Sequence, residues 1–192
     1  MRIRSVPFAL VLFSGLACVL VSGVRAQTPA RGAAAPALAR GSAQAPAGQV
    51  HANLNQLMRG VLFINSNVVF AAQTQDPATV KRASEPSAST DALTSVYGGW
   101  PAVEASALAL AEAANLLTIP GRMCANGRPV PVRNVDWAKF VQGLRDVGMA
   151  AYKAAQSKDQ EAIVLVTEDV ATACANCHER YRDVPAGTAR CQ

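Results

Sequence analysis

The feature that most constrains this 192-residue chain lies near its C-terminus: Cys174-Ala175-Asn176-Cys177-His178. A C-x-x-C-H run is the attachment signature of c-type haem. Two thiols add across the porphyrin vinyl groups as thioethers, and the adjacent imidazole binds the iron. Residues three and four apart share one face of a helix, so Cys174, Cys177 and His178 can address one planar ligand only if this stretch is helical. A zinc half-site would need a second C-x-x-C, which is absent, and the other histidine is His51. A dithiol redox pair would need a βαβ context, whereas the surroundings have helical spacing.

The rhythm of the rest agrees. Leu54, Met58, Val61, Asn65 and Val68 recur at steps of three and four between His51 and Gln73. Leu57, Leu62, Phe63 and Ile64 widen that apolar face. Asn65 and Asn67 interrupt it, marking a kink or a polar contact. Asp76-Pro77 ends the run. Residues 77–99 have loop composition, with one short helical turn expected around Ala92–Tyr97. A second helix starts after Gly98-Gly99-Trp100-Pro101 and carries Val103, Ala107, Leu110, Ala114 and Leu117 until Pro120-Gly121.

After a Pro/Gly loop over 120–134, Asn134 or Asp136 can cap a third helix whose stripe is Trp137, Phe140, Val141, Leu144, Val147, Ala151 and Ala155. Ser157-Lys158-Asp159-Gln160 resembles a capping box opening a fourth. There Ile163, Val166, Val170 and Tyr181 share the buried rhythm with Cys174 and Cys177, and Pro185 closes it. The fold expected is all-α: a four-helix up-down bundle over 50–192, its helices about 30 Å long, enclosing a covalently attached haem.

Ahead of this domain, Arg2 and Arg4 precede an apolar run that reaches about Val24, followed by Val24-Arg25-Ala26. Residues 1–26 therefore read as a signal peptide, with an uncleaved membrane anchor as the competing reading. Residues 27–49, rich in Ala, Pro, Gly and Gln, read as a disordered leader. The formal charge of +5 falls to +2 when Arg2, Arg4 and Arg25 are removed, leaving 15 basic against 13 acidic residues. No clustered basic face of the kind that binds nucleic acid stands out. Beyond the motif and the signal segment, which holds Cys18, two cysteines remain, Cys124 and Cys191. They are either one disulfide, permitted in the periplasm, or two free or intermolecularly paired thiols.

Four helical stretches with Cys174-Ala175-Asn176-Cys177-His178-Glu179-Arg180-Tyr181-Arg182 in the last one resemble the class II cytochromes c, the cytochrome c-prime family. The likeness covers residues 50–184, and its strong part is the C-x-x-C-H-x-x-aromatic-Arg helix. It implies a left-handed up-down bundle, a periplasmic location and often a homodimer. Family members are either six-coordinate electron carriers with a methionine from the first helix, or five-coordinate proteins that bind NO or CO. Leu57-Met58-Arg59-Gly60 resembles the methionine-bearing segment, which makes Met58 the candidate sixth ligand of the iron beside His178; ordinary core packing is its alternative. Met123 and Met149 are weaker candidates.

Gly60 could let the porphyrin or a neighbouring helix come close, and Arg182 could lie along the haem face or be solvated. His51 is read as a surface residue. The expected role is electron transfer with a redox partner protein. Binding of a small gas ligand is the alternative, and peroxide reduction lacks a distal His/Arg pair. The loop over 120–134, the Gly98-Gly99-Trp100 segment and the leader depart from the family pattern, which puts partner choice and the distal pocket in doubt.

Overall fold

Four long helices form the core of the described residues. The computed structural model describes residues 48–185, 190 and 191, and no strand occurs among them. The expected signal peptide and all of the expected leader before Gly48 lie outside the described residues. Helix α1 occupies 54–71, as Leu54–Leu57, a π-helical segment Met58–Leu62 and Phe63–Ala71. Helices α2 (Trp100–Leu116), α3 (Val135–Ser157) and α4 (Gln160–Tyr181) follow. Helix α1 packs on α2 and α4, α2 on α3, and α3 on α4. Sequence neighbours are therefore neighbours in space, and the first helix meets the last.

Each helix begins and ends for a local reason. Asn53 and Gln56 form a reciprocal cap at α1: Gln56 N donates to Asn53 Oδ1 (2.9 Å) and Asn53 N to Gln56 Oε1 (3.0 Å). Within α1 the ladder widens, with Phe63 N donating to Met58 O five residues back. Asn65 Nδ2 donates to the carbonyl of Val61 at 2.8 Å, supplying a partner inside the irregular turn. Polar contact is thus the correct reading of Asn65.

Between α3 and α4, Lys158 turns the chain in the left-handed region (φ 55°), and Asp159 accepts from Glu161 N at 2.9 Å. The expected capping box at Ser157 is not formed. Ser157 is instead the last residue of α3, and its hydroxyl donates to Ala154 O. The helical turn expected over Ala92–Tyr97 is a series of turns, and the short 3₁₀ helix lies at Pro86–Ala88. Leu93, only 2 % exposed, anchors that loop to the core. Gly99 leads into α2 with φ 71°, and a Cβ there would stand 2.7 Å from Pro77 O. Only glycine fits.

The stripes read from the sequence are largely the buried ones. Val103, Ala107, Leu110, Ala114 and Leu117 of the α2 region are buried, as are Trp137, Val141, Leu144, Ala151 and Ala155 of α3. One expectation fails on α1, and for Gly60 the reading as a helix contact fails. Phe63 and Ile64 are 63 % and 53 % exposed instead of widening the core face, because Leu57, Leu62, Val68 and Val69 already fill the contact with α2 and α4. Gly60 is exposed, and a Cβ on it would meet nothing within 4 Å, so no helix approaches there. The close approach is at Gly148 on α3, where a Cβ would meet Ala111 N at 2.8 Å and Ala111 Cβ at 3.1 Å.

The loop over 117–134 is bound to three parts of the fold. Leu54 N donates to Met123 O (2.8 Å) at the start of α1. Arg122, 5 % exposed, donates to Ala52 O (2.6 Å) and twice to Leu116 O (3.1 and 3.3 Å). Cys124 is disulfide-bonded to Cys191, with Cα atoms 5.1 Å apart, so the bridge is the correct one of the two cysteine readings. Cys191 N also donates to Tyr181 O (2.7 Å), which folds the tail back onto the end of α4.

Candidate functional site

One cavity of about 440 Å³ gathers the residues singled out in the sequence. Helix α4 contributes Cys174, Cys177, His178 and Tyr181; α1 contributes Leu54, Met58, Leu62 and Phe70; α3 contributes Trp137, Phe140 and Leu144. Leu110 and Leu117 from the α2 side and Cys191 from the tail complete the interior. The walls are almost wholly apolar. Arg59, Phe63 and Arg182, all exposed, stand at its mouth.

The convergence follows from helix geometry. Ile163, Val166, Val170 and Tyr181 of α4 are buried, and the half-buried cysteines continue the same stripe where the helices part to leave the cavity. Cys174 and Cys177 are free thiols and are not bridged to each other. Burial raises both; for Cys177, burial followed by the neighbouring Cys174 and Asp136 pushes the thiol up to about 11. Both stay protonated at neutral pH. A reactive dithiol needs the opposite shift, so the pair is not set up as an exchange site.

His178 shifts the other way: burial first, then the Arg182 cation, lowers its affinity for a proton. The imidazole is neutral near pH 7 and has a lone pair to give a metal. Met58 is half-buried in the π segment and lines the cavity, whereas neither Met123 nor Met149 does. Among the described residues no group of three or more His, Cys, Asp or Glu is placed to hold a metal ion by itself. His51 is exposed, as expected.

Arg182 lines the cavity and also pairs with Asp183 through Nε (2.7 Å) and a terminal nitrogen (3.0 Å), about half exposed. Both sequence readings of this residue are therefore partly met. A network the sequence did not signal supports the aromatic floor. The Tyr181 hydroxyl donates to Asp136 Oδ1 at 2.6 Å and accepts from Asn134 at 3.2 Å, while Arg180 Nε donates to Asp136 Oδ2 at 3.0 Å. The Tyr181 ring meets Trp137 and Phe140 edge-on, with centroids 5.1 and 6.3 Å apart, and Trp137 donates to Leu117 O. The side chain of Asp136 thus joins the start of α3 to the end of α4, where spacing suggested only a helix cap.

Comparison of the chain with protein-family models, curated proteins and solved structures returned no match.

Proposed function

We propose that this chain is an exported c-type cytochrome of the class II kind, holding one haem in the cavity of an up-down bundle and working in electron transfer. The observation that carries the reading is the cavity itself, which brings Cys174, Cys177 and His178 on one wall together with Met58 on another. Its volume suits a cofactor. The donor set fits the group: two free thiols at helical spacing and a neutral, half-buried imidazole. Cys174 and Cys177 would hold the haem as thioethers, and His178 and Met58 would bind iron. When bound, the haem supplies a one-electron couple between ferric and ferrous iron.

The chain's own part is to bind, orient and exclude water. Leu54, Leu62, Phe70, Trp137 and Phe140 line the cavity with apolar surface, an environment that disfavours the additional charge of ferric iron and raises the potential. A thioether from Met58 acts in the same sense. Asp136 fixes the Tyr181 ring against Trp137, which keeps that wall rigid. The Cys124–Cys191 bridge suits an oxidising compartment and supports export to the periplasm. Among the described residues no helix is long and apolar enough to cross a membrane.

The test is a visible spectrum of ferric and ferrous protein matured with the attachment machinery, recorded with and without CO. Low-spin bands indifferent to CO are expected. High-spin iron that takes up CO would replace the electron carrier with the gas-binding alternative, and a colourless product of bare polypeptide mass would remove haem altogether.

A further inference from the structure

Charge is unevenly spread over the fold. The segments that build the cavity end, 52–63, 117–137 and the described part of 178–191, hold seven arginines against three acids. The remaining described residues hold six cations against ten acids, so the two parts are opposite in sign and the described residues balance. Helix α4 shows the gradient along its own length, from Asp159, Glu161, Glu168 and Asp169 to Arg180 and Arg182. Two haem propionates would still leave the cavity end cationic.

The cations gather at the start of α3 and at the cavity mouth. Arg59 and Arg182 line it, Arg180 reaches the start of α3 through Asp136, and Arg133 directly precedes that start. All four are exposed. The same end leaves two apolar side chains uncovered, Phe63 at the mouth (63 % exposed) and Val135 at the first position of α3 (73 %). Exposed apolar side chains accompanied by charge match the composition of a transient protein interface.

We propose that Arg59, Arg133, Arg180 and Arg182, with Phe63 and Val135, form the docking face for a redox protein with an acidic surface. This rests on the electron-carrier reading, since the face includes the opening through which the buried cofactor is closest to solvent. Complementary charge raises the encounter rate, and the arginines fix orientation, while the small apolar centre keeps the complex short-lived. An anionic partner is selected because the opposite part of the molecule would repel it.

The test compares the haem-loaded wild type with Arg59→Glu/Arg133→Glu, two exposed positions outside the ion pairs of Arg180 and Arg182. Lys153→Glu in the distant half of α3 serves as control. Reduced protein is oxidised by ferricyanide, an anion, and by tris(phenanthroline)cobalt(III), a cation, across a range of salt. Polyglutamate binding is measured separately by tryptophan fluorescence. At low salt the double variant should lose about tenfold in rate with ferricyanide and gain with the cation, and the difference should fade as salt shortens the screening length to a few ångströms. Polyglutamate binding should be lost in the double variant and kept in Lys153→Glu.

Wild-type rates that change in the same direction with salt for both reagents, or polyglutamate binding indifferent to the double substitution, would overturn the proposal. So would equally salt-sensitive sedimentation with vesicles containing anionic phospholipid, which would make the face a membrane contact. A dimer dissolved by the double substitution would make it a contact between copies. If the protein matured with the attachment machinery carries no haem and still binds polyglutamate, the two readings separate: the acidic-docking surface stands and the redox role falls.

Discussion

Met58 and Cys177 are the residues whose environments most directly determine what the cavity can do. Met58→Ala removes the thioether while leaving a half-buried position on α1. Under the electron-carrier reading it should convert low-spin iron to a high-spin form whose ferrous state binds CO, and lower the reduction potential. An unchanged spectrum would leave Met58 as packing. Cys177, pushed up to about 11 by burial, carries about a hundredfold less thiolate than an ordinary thiol at neutral pH. In protein prepared without haem, iodoacetamide should therefore modify it slowly at pH 7.5 and much faster above pH 10, followed by mass spectrometry. Rapid labelling at pH 7.5 would mean that burial does not protect the thiol.

Asp136 gives a pH signature at the same scale. Its carboxyl is held below 3.8, chiefly by the Tyr181 hydroxyl and then by Arg180. A depressed carboxylate contributes stability above its unfolded value and loses it as pH falls through the folded one. Asp136→Asn should lower the melting temperature by a few degrees near pH 7. The gap should close as the wild type is acidified below about pH 4. Tyr181→Phe should behave alike, since it removes the other end of the 2.6 Å bond.

At the level of the element, two glycines of α3 make opposite predictions for the same change. Gly148 lies against the backbone of Ala111, and an added methyl must push α2 away. Gly148→Ala should cost about 1–3 kcal/mol in urea unfolding. Gly143 has nothing within 4 Å, so Gly143→Ala should stabilise by about 0.5–1 kcal/mol through lower helix entropy cost. If both changes have the same sign, the close α2–α3 approach is not there. Small residues make that approach possible: Ala107, Ala111, Ala114, Ala151 and Ala155 are all buried.

Across the whole molecule, the loop over 117–134 and the C-terminal tail hold the cavity end together through Arg122, the Cys124–Cys191 bridge and Asn126, which donates to Arg190 O at 2.9 Å. The bridge closes a separation of 67 residues. Replacing both cysteines by serine should lower stability by about 2–4 kcal/mol, read as a fall in the urea midpoint. Because Cys191 also lines the cavity, the same variant should open that wall to solvent. Unchanged stability would show that the hydrogen bonds around Tyr181 and Arg122 hold the tail unaided.

The sequence by itself determined the helices and most of the residues that meet in the cavity. Apolar residues at three- and four-residue steps specify which face of each helix is buried, and the three motif residues fall on one helix face because their spacing matches its turn. Periodicity also placed Met58 on an inward face. What it could not convey are facts about distance between elements. The pairing of Cys124 with Cys191, the exposure of Phe63 and Ile64, and the close contact at Gly148 depend on how helices stack. So do the Tyr181–Asp136 bond, whose partners lie 45 residues apart, and the backbone carbonyls that Arg122 finds at Ala52 and Leu116. A local rhythm specifies direction around a helix axis, but the contents of the space between helices are settled only when all four are packed.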